Sequence, residues 1–113
     1  MKRKWIAILF MLQGSVFAQN DAFLNNTAMS YFTKTDWALF NQAQATVLNK
    51  EKNGMRVSWR NPETHAHGDL VASAAPSLNG MPCRYVTFRN TAHLINGAGR
   101  FRFCKTNHQW KIF

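Results

Sequence analysis

The sequence predicts an α+β domain: one N-terminal amphipathic helix packed on a four- to five-stranded antiparallel meander sheet, held by one disulfide. Three observations carry that expectation. Apolar residues recur at helical spacing up to Leu48 and alternate from Met55 onward, so the period changes near Gly54. Clusters of turn-forming residues cut the rest of the chain into short runs. Two cysteines, Cys83 and Cys104, fall in two of those runs.

The chain opens with Lys2, Arg3 and Lys4, followed by the apolar run Trp5 to Leu12, a break at Gln13-Gly14-Ser15, and Val16-Phe17-Ala18. This is the pattern of a secretory signal cleaved after Ala18; the alternative is an amphipathic or anchoring N-terminal helix. The run is too short for a transmembrane span. Gln19 follows, so the lipid-attachment cysteine of a lipoprotein is missing. Taking 18 residues from 113 leaves a mature chain of 95, and losing three cations lowers the formal charge from +9 to +6. From Gln19 to Leu70 five cations meet five anions, whereas Val71 onward carries six cations and no acid. The expected organisation is a signal over 1–18, a lead segment over 19–32 and one domain over 33–113. Phe23, Leu24, Tyr31 and Phe32 equip the lead segment to dock, either on the domain or on a partner.

Thr33 reads as a helix cap with an acid, Asp36, three residues on. Trp37, Phe40, Ala43, Val47 and Leu48 then mark one apolar face up to about Lys50, and Asn53-Gly54 is expected to close the helix. Met55, Val57 and Trp59 alternate with Arg56, Ser58 and Arg60, which predicts the first strand. Asn61-Pro62-Glu63-Thr64 is turn chemistry, in a loop expected to run through Gly68. Asp69 to Ala74 predicts a second strand, with a loop through Pro76, Asn79, Gly80 and Pro82. The third strand is expected from Cys83 to about Asn90, a turn at Asn96-Gly97-Ala98-Gly99, the fourth strand from Arg100 to Lys105, and the last from His108 to Phe113, after a turn at Thr106-Asn107.

Side chains alternate between faces along a strand. Val86 and Phe88 therefore share one face with Phe101 and Phe103, along with Val57, Trp59, Trp110 and Ile112. Cys83, Tyr85, Thr87 and Arg89 share the other with Arg100, Arg102 and Cys104. Antiparallel pairing with the cysteines opposed puts Tyr85 across from Arg102 and Thr87 across from Arg100. The apolar face needs a cover, which the single helix supplies. The other face is basic and partly aromatic. Export predicts a Cys83–Cys104 disulfide. Its 22-residue loop is worth about 3.4 kcal/mol in the chain-entropy account. A metal site or reactive thiol is the alternative, and no CxxC or HxxxH spacing supports either.

Three pieces together resemble the C-terminal domain of the small bacterial surface-antigen family, typified by a rickettsial seventeen-kilodalton outer-membrane antigen. They are Trp59-Arg60-Asn61-Pro62-Glu63-Thr64, the pair Cys83 and Cys104, and the ending Trp110-Lys111-Ile112. The resemblance covers Thr33 to Phe113. It implies a helix before a W-R-N-P strand and loop, a cysteine-paired hairpin, and a role in envelope structure or interaction without catalytic residues. The lipobox cysteine and glycine-rich stretch that members often carry before this domain are missing here.

Among chemical readings, His65-Ala66-His67 offers alternate imidazoles, but spacing supplies no third ligand, so no metal or cofactor is expected. A secreted basic nuclease needs a general base, a general acid and a cation near the phosphate. The cationic half has no carboxylate and His93 and His108 are isolated, so no enzyme is expected. What remains is an exported periplasmic or outer-membrane-associated protein, or one released outside. It would act by protein–protein contact through Tyr85, Arg89, Arg100 and Arg102. The alternatives are a small soluble subunit of an envelope-spanning secretion machine, and a module binding an anionic envelope polymer or lipid headgroup. Export argues against genomic nucleic acid.

Overall fold

The computed structural model describes residues 28–113. The expected signal over 1–18, its cleavage point and the lead residues Phe23 and Leu24 lie outside them. The chain enters through a 3-10 turn, Ala28–Tyr31, followed by helix α1 (Lys34–Asn49). Five strands follow: β1 (Arg56–Arg60), β2 (His67–Leu78), β3 (Met81–Ala92), β4 (Ile95–Thr106) and β5 (Gln109–Ile112). Each pairs antiparallel with the next, so sequence order is spatial order and the sheet is a meander. No helix among the described residues is long and apolar enough to cross a membrane.

Thr33 caps α1 as its sequence predicts. Its hydroxyl accepts from Asp36 N–H at 3.1 Å, and the Asp36 carboxylate accepts from Thr33 N–H at 2.9 Å, a reciprocal capping box. Phe40, Ala43, Val47 and Leu48 are buried along one stripe. They meet Trp59, Leu70, Ala72, Val86 and Phe88 from the sheet. The densest part is aromatic: Phe40 lies edge-on to Trp37, Trp59 and Phe88, with centroids 5.6 to 6.3 Å apart. Each such pair adds about 0.5–1.5 kcal/mol beyond the area it buries.

The helix ends differently from the expectation. Lys50 is the C-cap, its N–H donating to Thr46 C=O. Gly54, at φ +90°, instead donates its N–H to Ala72 C=O at 2.9 Å and leads the chain into β1. The last carbonyls of α1 are satisfied by a side chain from the sheet. The Arg84 guanidinium donates to the C=O groups of Val47, Leu48 and Glu51 at 2.8–3.0 Å, and to Asn53 Oδ1. A cation here also complements the negative end of the helix. Trp110 Nε1–H adds a tie from β5 to Asn49 Oδ1.

Strands β2, β3 and β4 are longer than expected because the turns are tighter. Each of the last three connections is two residues with positive φ: Asn79-Gly80 (49°, 80°), His93-Leu94 (52°, 62°) and Asn107-His108 (52°, 67°). Such pairs match the right-handed strand twist, as in a type I′ hairpin. The expected turn Asn96-Gly97-Ala98-Gly99 is instead strand, paired residue by residue with β3. His93-Leu94 takes the turn although leucine does not favour it. The loop expected through Gly68 ends earlier, and β2 begins at His67. Gly68 is required there: a Cβ would run into Asn90 Oδ1 and lie 2.5 Å from Arg89 C=O and 2.8 Å from Trp59 Nε1. Over that gap Trp59 Nε1–H donates to Asn90 Oδ1 at 3.1 Å. Pro76 sits where the β2–β3 register shifts, between Ala75 and Leu78, within a strand rather than a loop.

Candidate interaction face

The W-R-N-P-E-T segment proves to be a latch. Asn61 is 2 % exposed and Asp36 1 %. Asn61 Nδ2 and Thr64 Oγ1 both donate to Asp36 Oδ1 at 2.7 Å. Asn61 Oδ1 accepts from Glu63 N–H, and its backbone exchanges bonds with Ala66 and His65. The carboxylate that caps α1 thus holds the β1–β2 loop against it. Burial pushes the Asp36 carboxyl up, but the hydrogen bonds from Thr33, Thr64 and Asn61 outweigh it and leave the group below its ordinary value. This cluster is spent on structure.

His65 and His67 flank the buried Ala66, and His67 Nδ1 lies 3.0 Å from His65 C=O. Among the described residues no three His, Cys, Asp or Glu side chains gather where they would hold a metal. Phe32 turns into the domain, packing against Trp37 and Trp59 with centroids 5.1 and 5.2 Å away. Tyr31 stays exposed and stacks on His93 at 5.2 Å. The fold therefore starts before Thr33, with Ala28 and Met29 already buried.

The face of the sheet away from α1 carries most of the cations on the strands. The register pairs Cys83 with Cys104, Tyr85 with Arg102 and Thr87 with Arg100. Cys83 and Cys104 form a disulfide whose Cα atoms are 4.0 Å apart. Arg100 lies 4.1 Å over the Tyr85 ring, a cation–π contact worth about 0.5–1 kcal/mol at such an exposed site. Arg89 and Arg100 are exposed, whereas Tyr85 and Arg102 are half-buried. Arg102 Nε is buried with no hydrogen-bond partner among the described residues.

Following the ladder outward enlarges this face. Arg56 and Arg60 on β1 and Lys111 on β5 join Arg89, Arg100 and Arg102, making six cations against one carboxylate, Asp69. Asp69 pairs only loosely with Arg56, at 3.9 Å. At one end the face sinks into a trough of about 790 Å³ lined by Arg60, His67, Asp69, Arg89, Asn96 and Ala98. Sequence reading passed over Arg56 and Arg60 on this face, although their alternation with Val57 and Trp59 was the available signal. Arg84 was counted in the C-terminal excess but is occupied at the helix end. Its parity with Val86 could have marked it, since an arginine on an apolar face needs carbonyls to serve.

Comparison with protein-family models, with curated proteins and with solved structures finds no match in any of the three.

Proposed function

We propose that this is a non-enzymatic, exported envelope protein of the surface-antigen type, working by protein–protein contact through the far face of its sheet. The observation that carries the reading is the composition of that face: six cations and one carboxylate around a central tyrosine–arginine stack. Tyrosine and arginine are the residue types that dominate interface energetics. The stack and the adjacent disulfide hold them in place before a partner arrives, which lowers the ordering cost of binding. The partner is an envelope protein with an acidic surface, and a secretion machine in the envelope is the specific setting in which a small subunit of this kind would serve. Affinity capture from solubilised bacterial envelopes tests this, comparing the native chain with one in which Arg89, Arg100 and Arg102 are neutralised. A discrete partner held only by the native chain is expected; recovery as a free monomer would sink the reading.

The same charge count favours a second reading, a module for an anionic envelope polymer or lipid headgroup. Its signature is binding to such a polyanion that weakens steeply with salt and vanishes on neutralising those three arginines. Binding indifferent to salt would remove it.

A further inference from the structure

Most strand edges of this sheet are blunted. β1 is five residues long and carries Arg56 and Arg60. β2 beyond β1 holds Pro76 and a register shift. β5 is four residues long and carries Lys111. Short strands, charges, proline and bulges are the usual protections against unwanted strand pairing.

One stretch has only Arg100 among them. β5 pairs only with Phe103–Thr106 of β4, and the Phe113 N–H extends the ladder to Arg102 C=O at 2.9 Å. From Ile95 to Phe101 no strand among the described residues pairs with the edge of β4 that faces away from β3. The Phe113 bond also shows which groups face that edge. Backbone groups alternate in direction along a strand, so Asn96, Ala98 and Arg100 point theirs the same way as Arg102. Asn96-Gly97-Ala98-Gly99 contains no proline, no lysine and little side-chain bulk. The edge begins at an apolar tip, where Leu94 is 95 % exposed at φ +62° and Ile95 is 39 % exposed. A leucine held out in left-handed backbone is costly to the monomer.

We propose that this edge of β4 is a strand-addition site for an extended segment of a partner protein bearing carboxylates at alternate positions. The inference rests on the protein-contact reading above and gives that contact a place and a geometry. Charge sets the partner's chemistry. Side chains of an added strand alternate between faces, and on the far face it would lie beside Arg100, with Arg89 and Arg102 near and no acid in the chain after Asp69. On the other face it would lie beside Ile95 and Phe101, which calls for apolar residues.

The test uses the full chain and a capped peptide of about eight residues alternating Glu and Val, with a Lys–Val peptide as control. Amide hydrogen exchange is read residue by residue. At saturation, exchange at Asn96, Ala98 and Arg100 should slow by about tenfold or more, while Gly97 and Gly99, whose amides face β3, stay unchanged. The Lys–Val peptide should bind at least about tenfold more weakly. Ala98→Pro removes one edge donor and should abolish binding; if that variant fails to fold, the exchange pattern of the native chain decides. Absence of binding would overturn the proposal, and so would binding without protection of those three amides. Protection already present in the free chain would also overturn it, assigning the edge to the chain itself in a monomer or to a second copy in a dimer. If envelope capture yields a partner held equally by Ala98→Pro, strand addition fails while protein contact stands. If the native chain captures nothing, it is the protein-contact reading that fails.

Discussion

Asp36 shows how one side chain serves two parts of the fold. It caps α1 through Thr33 and anchors the β1–β2 loop through Asn61 and Thr64. Replacing it with alanine takes the acceptor from the buried Asn61 amide and from the part-buried Thr64 hydroxyl and Thr33 N–H, so Asp36→Ala should cost about 2–4 kcal/mol in urea unfolding. The pH dependence follows from the lowered folded-state pKa. The contribution is complete above the ordinary carboxylate value and is lost as pH falls through the folded one. Native protein should therefore lose stability on acidification over that range, and Asp36→Asn should show a flatter profile. Gly68 is the second residue with no substitute. Gly68→Ala forces Asn90 and the β3 backbone apart beneath Trp59 and should cost about 1–3 kcal/mol, read as a lowered thermal midpoint. The cap at Thr33 and Asp36 was legible in the sequence, whereas the latch on the β1–β2 loop and the close approach at Gly68 were not. Asn61 has the composition of a turn and Gly68 that of a loop end, because the partners that define them, Asp36 and Asn90, are 25 and 22 positions away.

At the scale of elements, periodicity read well and turns read poorly. The alternation of Val86 and Phe88 against Tyr85 and Thr87 was enough to anticipate which residues oppose each other across β3 and β4. A period of two leaves only even shifts of register, and the cysteines select one. The turns failed for a physical reason: Asn96-Gly97-Ala98-Gly99 has turn composition but a strand's place, beside β3 and along an edge that no other described strand pairs with. His93-Leu94 turns because the ladders on either side demand it, at a local cost. Leu94→Gly should relieve that cost and raise stability by about 0.5–1 kcal/mol in thermal unfolding, with no change in the sheet. Arg84 joins sheet to helix. Arg84→Met keeps the stem but leaves the carbonyls of Val47, Leu48 and Glu51 unserved, and should cost about 2 kcal/mol and increase amide exchange in the last turn of α1.

Across the whole molecule, one side of the sheet carries the apolar core and the other most of the charge on the strands. The helix side holds the aromatic core and the latch; the far side holds the disulfide, the tyrosine–arginine stack and six cations. A solvated face would gain nothing from concentrating like charges, which repel and weaken the fold. In the proposed reading an acidic partner surface gives that arrangement a use, and Thr87, exposed near its centre, reports on it without carrying charge. The most direct measurement places a photo-cross-linking amino acid at Thr87 in living bacteria, with Lys34 on the helix as control. One discrete adduct is predicted from Thr87, lost when Arg89, Arg100 and Arg102 are neutralised, and none from Lys34. No adduct at Thr87, or the same diffuse products from both positions, would contradict the account.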